Sequence, residues 1–86
     1  MNSIENKCKN KGVRLTEQRK IIAQVMSEST DHPDVDELHK RVTSVDRKIS
    51  IATVYRTVKL FEEAGILEKH DFKGGKARYE ELNEGH

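Results

Sequence analysis

Apolar residues recur at helical spacing along much of the sequence. The segment 17–27 is predicted to be an amphipathic helix, because its apolar residues share one side of a helical wheel. These residues are Ile21, Ile22, Val25 and Met26. Thr16, directly before the segment, is a candidate N-cap. The chain should therefore begin its folded part with a helix that lays one face on a core.

A second amphipathic helix is predicted after Pro33. Asp34 and Glu37 have the spacing of a capping box, which satisfies backbone donors at a helix N-terminus. The apolar stripe that follows predicts a helix ending near Asp46. Its members are Val35, Leu38, Val42 and Val45.

The segment 50–65 carries signals for both ends of one helix. Ser50 suits the N-cap, and Gly65 suits the left-handed residue just past a helix C-terminus. An apolar stripe is expected to face the core. It consists of Ile51, Val54, Val58 and Phe61. The opposite face carries Arg56 flanked by Ala52 and Lys59, with Thr53 and Tyr55 on the shoulders.

Two weaker elements lie outside these helices. Residues 2–11 are polar except for Ile4 and Cys8, which predicts either a short helix that depends on docking or a partly disordered arm. Segments 66–72 and 77–82 flank a Gly-Gly pair, a strong signal for a β-hairpin.

The order of these elements defines a fold class. Three helices followed by a hairpin predict a mainly α protein with a small antiparallel hairpin, a winged helix-turn-helix. We expect a single domain over residues 1–86. Its parts would be an N-terminal helix or arm (1–11), a three-helix core (16–65), a wing (66–82) and the start of a linker (83–86).

Composition narrows the classes of function. The net charge of +1 is unevenly spread, since residues 38–61 hold six Lys or Arg against one Asp. A basic patch attracts nucleic acid through its local field, whatever the total charge. No apolar run suits a membrane span or a signal peptide, so a cytoplasmic protein without membrane contact is expected.

The single cysteine, Cys8, excludes an intrachain disulfide and a cysteine-pair zinc site within this chain. Neighbouring Lys7 and Lys9 could lower the pKa of its thiol, although an exposed thiol without function is the favoured interpretation.

The exposed face of the 50–65 helix has three interpretations. Hydroxyl groups and cations on such a face could read base edges in DNA. An ordinary solvated surface is the first alternative, and a winged helix that binds proteins through its acidic segments is the second. An enzyme is not expected, because the sequence has no clustered nucleophile and base and no phosphate-binding glycine loop.

Five segments together resemble the N-terminal DNA-binding domain of the ferric uptake regulator family. They are Gly12-Val-Arg-Leu-Thr-x-x-Arg19, His32-Pro, Ile51-Ala-Thr-Val-Tyr-Arg56, Ala64-Gly-Ile66 and Gly74-Gly-Lys…Tyr-Glu80. The resemblance runs from about residue 12 to the end of the chain. It implies a bacterial, metal-responsive transcription factor, usually a repressor of metal-uptake genes. Such a factor binds an A·T-rich inverted repeat of double-stranded DNA as a homodimer.

The resemblance also implies roles for individual residues. Tyr55 and Arg56 match the pair that reads bases in the major groove, and Arg14 matches a basic residue of the adjacent minor groove. Phosphate contacts are expected from Arg19, Ser50, Thr53 and Lys76. Ala52 and Lys59 are further candidates for the DNA-facing surface.

By the same resemblance, His32 and Glu80 match ligands of a regulatory metal site between two domains, with His86 as a further candidate. Fe²⁺, Mn²⁺ and Zn²⁺ all suit nitrogen and oxygen ligands, so an iron, manganese, zinc or peroxide sensor remains open. We expect this chain to be a fragment lacking the dimerisation domain, and hence a monomer without tightly bound metal. His39 and His70 are expected to bind none.

Overall fold

A computed structural model of the chain describes residues 3–29, 31, 33–70 and 77–82. Four helices precede a two-stranded antiparallel sheet, which confirms the predicted winged helix-turn-helix. The elements are α1 (Ser3–Asn10), α2 (Glu17–Glu28), α3 (Val35–Thr43), α4 (Ile51–Glu63), β1 (Leu67–His70) and β2 (Arg78–Glu81).

The three predicted N-caps are confirmed. The Thr16 hydroxyl accepts a hydrogen bond from the Arg19 backbone N–H at 3.2 Å, at the start of α2. At the start of α3, Asp34 Oδ1 accepts from the Glu37 N–H at 2.8 Å, and at the start of α4 the Ser50 hydroxyl oxygen accepts from the Thr53 N–H at 3.2 Å. Each side chain satisfies a backbone donor that the helix itself leaves without a partner.

Helix α3 ends before the position that the apolar stripe indicates. Thr43 and Ser44 donate their hydroxyl hydrogens to carbonyls of the preceding turn, those of Lys40 and Arg41. Such local bonds compete with continuation of a helix. Val45 therefore leaves the stripe and is 64% exposed, so its predicted place on the core face is wrong.

The end of α4 leads directly into the hairpin. Gly65 has a φ of 77°, the left-handed conformation that glycine adopts without steric cost. Its N–H donates to the Glu62 carbonyl at 3.0 Å, and the Ile66 N–H donates to the Phe61 carbonyl at 2.8 Å. These two bonds form a Schellman motif, with Phe61 and Ile66 both fully buried beside it.

The described part of the hairpin is held by strand pairing and by a bond to the helical part of the domain. Strands β1 and β2 pair with Leu67 opposite Glu81 and Glu68 opposite Glu80. The Tyr79 N–H donates to the Pro33 carbonyl at 3.1 Å, which ties β2 to the connection between α2 and α3. The wing is thus joined to two separate parts of the helical core.

Helix α1 docks on the core. Ile4 and Cys8 have no exposed surface, and Lys7 Nζ lies 2.8 Å from a Glu81 carboxylate oxygen at the end of β2. The alternative of a disordered arm and the expected exposed thiol at Cys8 are therefore wrong. Burial, followed by the charge of Glu5, raises the pKa of Cys8, and the positive charge of Arg19 only partly opposes that rise. Lys7 and Lys9 do not lower it.

Candidate nucleic-acid interface

Helix α4 divides into a buried and an exposed side. Val54, Val58 and Phe61 are buried, and Thr57 completes the core face with 3% exposure. On the far side, Arg56, Ala52 and Lys59 are exposed, as the sequence predicts. Tyr55 is 53% exposed on the shoulder of the helix. The core thus fixes the helix while its outer face stays accessible.

Ile51 does not belong to the core face. Its side chain is 45% exposed, whereas Thr57, which the predicted stripe does not include, is buried. At about 100° per residue, Ile51 lies some 40° from Tyr55, so the two form one apolar shoulder. Ile49 before it and Val54 after it are buried, so the exposure is local to Ile51 and a helical wheel does not reveal it.

A groove of about 590 Å³ runs between the start of α3, the front of α4 and the hairpin. It brings together several α4 side chains with residues of the wing. The lining residues are Val35, Asp36, Ile51, Ala52, Tyr55, Arg56, Lys69, Ala77 and Tyr79. Lys69, a cation of the wing, therefore shares one surface with Tyr55 and Arg56.

Ser50 and Thr53 have structural roles at the start of α4. The Ser50 hydroxyl oxygen accepts from the Thr53 N–H at 3.2 Å and lies 3.1 Å from the Thr53 hydroxyl. Ser50 is exposed and Thr53 half-buried. Both groups lie at the positive end of the helix dipole, where anions are favoured.

Arg14 and Arg19 are linked through the backbone before α2. Arg19 Nη1 donates to the Arg14 carbonyl oxygen at 2.9 Å, and the Arg14 side chain is exposed. Arg19 thereby fixes the segment that carries Arg14. Neither residue lines the described part of the groove.

One cation of the basic segment is neutralised. Arg41 forms a two-pronged pair with Asp31, at 2.8 and 2.7 Å, and contacts Glu37 at 3.2 Å. The hydrogen bonds that Arg41 donates to Asp31 contribute most to raising the pKa of Arg41 above its usual value. The positive field near α4 must therefore come from other cations.

The predicted metal ligands are only partly described. His32 and His86 lie outside the described residues, as does the phosphate candidate Lys76. Glu80 is half-buried, and its Oε1 lies 2.6 Å from His70 Nε2. His39 Nε2 lies 3.2 Å from the Ile49 carbonyl oxygen, in the connection between α3 and α4.

Known proteins with similar sequences and structures include several metal regulators. The ferric uptake regulation protein of Rhizobium leguminosarum bv. viciae is 56% identical over 84 residues, covering 98% of this chain and 59% of the relative. The solved structure of a manganese uptake regulator matches with a TM-score of 0.90 and 53% identity, over all of this chain and 63% of that one. The Vibrio cholerae ferric uptake regulator matches with a TM-score of 0.83 and 32% identity, over 95% and 63%.

The fold and the exposed outer face of α4 define a winged helix-turn-helix domain. The model of the ferric uptake regulator family matches residues 10–86. This chain belongs to the ferric uptake regulator family. It spans about three fifths of the length of the relatives named above, 59% of the Rhizobium protein and 63% of each of the two solved chains. No described helix is both long and apolar enough to cross a membrane.

Proposed function

We propose that this chain is the DNA-binding part of a metal-responsive transcriptional regulator, a repressor of metal-uptake genes. The observation that carries the proposal is the exposure of Tyr55 and Arg56 on an α4 whose other side is locked in the core. An arginine can bond guanine with two hydrogen bonds, and an aromatic ring can pack on a thymine methyl group. The Vibrio cholerae relative is described as having DNA-binding domains that rearrange, which supports the same role here.

In this proposal, other cations position the domain without reading sequence. Lys59 on α4 and Lys69 on the wing flank the reading residues and face phosphates. Arg14 enters the adjacent minor groove, which is narrow and strongly negative in A·T-rich DNA. Arg19 supports that arginine through the bond to its carbonyl oxygen. Ser50, Thr53 and Lys76 complete the phosphate contacts, and Ala52 leaves room for close approach of the helix.

Replacing Arg56 with alanine tests the assignment of base reading. Binding of the chain to an A·T-rich inverted-repeat duplex should weaken by about 1–3 kcal/mol, while binding to a random duplex changes much less. Fluorescence anisotropy at low salt measures both affinities. Lys9→Ala is the matched control, because it removes one exposed positive charge on α1 and should affect the two duplexes equally.

If Arg56→Ala loses equal affinity for both duplexes, Arg56 contacts phosphate and does not read bases. If several phosphates are neutralised, affinity should also fall steeply with the logarithm of salt concentration. A folded chain that binds neither duplex at low salt would favour a protein-interaction module instead.

The proposal includes a regulatory metal held partly by this chain. Glu80 offers a carboxylate, and the neighbouring Tyr79 N–H is bonded to the carbonyl of Pro33, which follows His32 in the sequence. That bond supports a shared role for His32 and Glu80, with His86 as a further ligand. Fe²⁺, Mn²⁺ and Zn²⁺ each suit such nitrogen and oxygen donors, and the ion would cross-link the two domains.

We place this metal in a longer, homodimeric protein. A cross-link between domains favours one dimer geometry, in which two recognition helices match successive half-sites of the DNA. The 86-residue chain alone would be a monomer, and its DNA binding would not depend on the interdomain site.

A further inference from the structure

Three potential metal ligands share one face of the wing. Glu68 and His70 are two residues apart on β1, so their side chains point to the same face of the hairpin. Glu80 lies directly opposite Glu68 on β2. One ligand atom from each residue lies within 4.8 Å of the other two. None of the wing residues that the family resemblance matched, apart from Glu80, belongs to this group.

The spacing is close to that of a coordination shell. Zinc lies about 2.0–2.2 Å from nitrogen and oxygen ligands, which puts tetrahedral ligand atoms roughly 3.3–3.6 Å apart. His70 Nε2 and Glu80 Oε1 are 2.6 Å apart in a hydrogen bond, and no two ligand atoms of the group are more than 4.8 Å apart. Side-chain rotation alone can change these separations by about 1 Å, because glutamate has three rotatable bonds.

The charge of the face also favours a cation. Glu68 and Glu80 are a like-charged cross-strand pair, an arrangement that destabilises a sheet. Two carboxylates with a neutral imidazole would match the charge of a divalent ion. Arg78, opposite His70 on the same face, is the cation that competes for these carboxylates. Glu68 is exposed and the other two ligands are half-buried, so an ion can reach the site from solvent.

We propose that the wing binds a divalent cation of the Zn²⁺ or Mn²⁺ class through Glu68, His70 and Glu80. The paired strands hold the three ligands in register, and water would fill the remaining coordination positions. The site lies wholly within this chain and needs neither a second domain nor the proposed DNA binding. It replaces the expectation that His70 binds no metal. With three protein ligands on an open surface, binding should be weak compared with a closed structural site.

Zinc titration of the 86-residue chain, stripped of metal with a chelator, tests the site. Calorimetry should give a stoichiometry of one Zn²⁺ per chain. In heteronuclear NMR spectra, added Zn²⁺ should shift the resonances of residues 68, 70 and 80 first. Glu68→Gln should weaken Zn²⁺ affinity by at least about tenfold, since even the loss of a group that only orients a ligand costs that much. His70→Asn should do the same. Glu63→Gln, an equivalent change at an exposed position on α4, should leave the affinity unchanged.

His32→Asn separates this site from the proposed interdomain ligands. His32→Asn should change the Zn²⁺ affinity of the chain by less than about threefold, whereas the loss of a true ligand should weaken it by about tenfold or more. The proposal is overturned if the chain binds no Zn²⁺, or if affinity survives Glu68→Gln and His70→Asn. It is also overturned if only His32→Asn weakens binding. Amide spectra of each metal-free variant confirm that the fold is retained.

Discussion

Replacing Ile4 with alanine should release helix α1 from the core. The Ile4 side chain has no exposed surface and lies one helical turn before Cys8, which is equally buried. A helix of eight residues is marginal in water by itself, so docking provides most of its stability. Removing the outer atoms of a buried isoleucine costs about 2–5 kcal/mol. That cost should fall first on the contact between α1 and the rest of the domain.

The reactivity of Cys8 reports the undocked state of α1. If about 3 kcal/mol falls on docking, the undocked fraction rises roughly 100-fold, because each 1.4 kcal/mol is a factor of ten. A thiol reagent can reach Cys8 only when the segment opens, and the labelling rate then follows the open fraction. Labelling of Ile4→Ala should therefore be roughly 100-fold faster than that of the wild type.

Leu38→Ala is the matched control, since Leu38 on α3 is also fully buried. It should lower the free energy of unfolding, measured in urea, by a similar 2–5 kcal/mol. Its Cys8 labelling rate should stay near that of the wild type. Equal acceleration in both variants would show that Cys8 is exposed only when the whole domain unfolds. An unchanged rate in Ile4→Ala would show that docking of α1 does not protect the thiol.

Two further predictions concern stability. Gly65→Ala should cost about 1–2 kcal/mol in urea unfolding, because φ is 77° there. Gly12→Ala, at φ 74°, should lower the free energy of unfolding by about as much, although an added Cβ meets no atom within 4 Å there. A larger loss at Gly65 would show that the 3.4 Å approach of a Cβ to Lys11 Nζ adds to the backbone strain. Because burial raises the pKa of Cys8, the unfolded chain ionises first. Above about pH 8.5, the free energy of unfolding of the wild type should therefore fall by up to about 1.4 kcal/mol per pH unit more than that of Cys8→Ala. Parallel pH profiles of the two proteins would contradict this.

Local signals in the sequence were sufficient to predict the starts of α2, α3 and α4 and the end of α4. Thr16, Asp34 and Ser50 each bond a backbone N–H within three residues, so their role depends only on neighbours in the chain. The same holds for Gly65, whose backbone conformation closes the C-terminus of α4. The exposure of the outer side of α4 could be predicted because the opposite side is apolar.

The features that sequence reasoning missed depend on packing between distant segments. Cys8 is buried because α1 docks on the core, and no local pattern shows whether a polar helix does so. Ile51 is exposed and lines the groove that α3, α4 and the hairpin form together. The grouping of Glu68, His70 and Glu80 requires the strand register, since a shift of one residue would move Glu80 to the other face.

The junction between α4 and β1 makes α4 and the wing a single rigid unit. Only residues 64–66 join them, and both hydrogen bonds of the Schellman motif tie this short link back to the last turn of α4. A domain with no hinge at this point loses little conformational entropy when it binds, which favours affinity without adding a contact. A cation held on the wing would then influence α4 through its charge, which extends over about a Debye length, rather than through a movement of the helix.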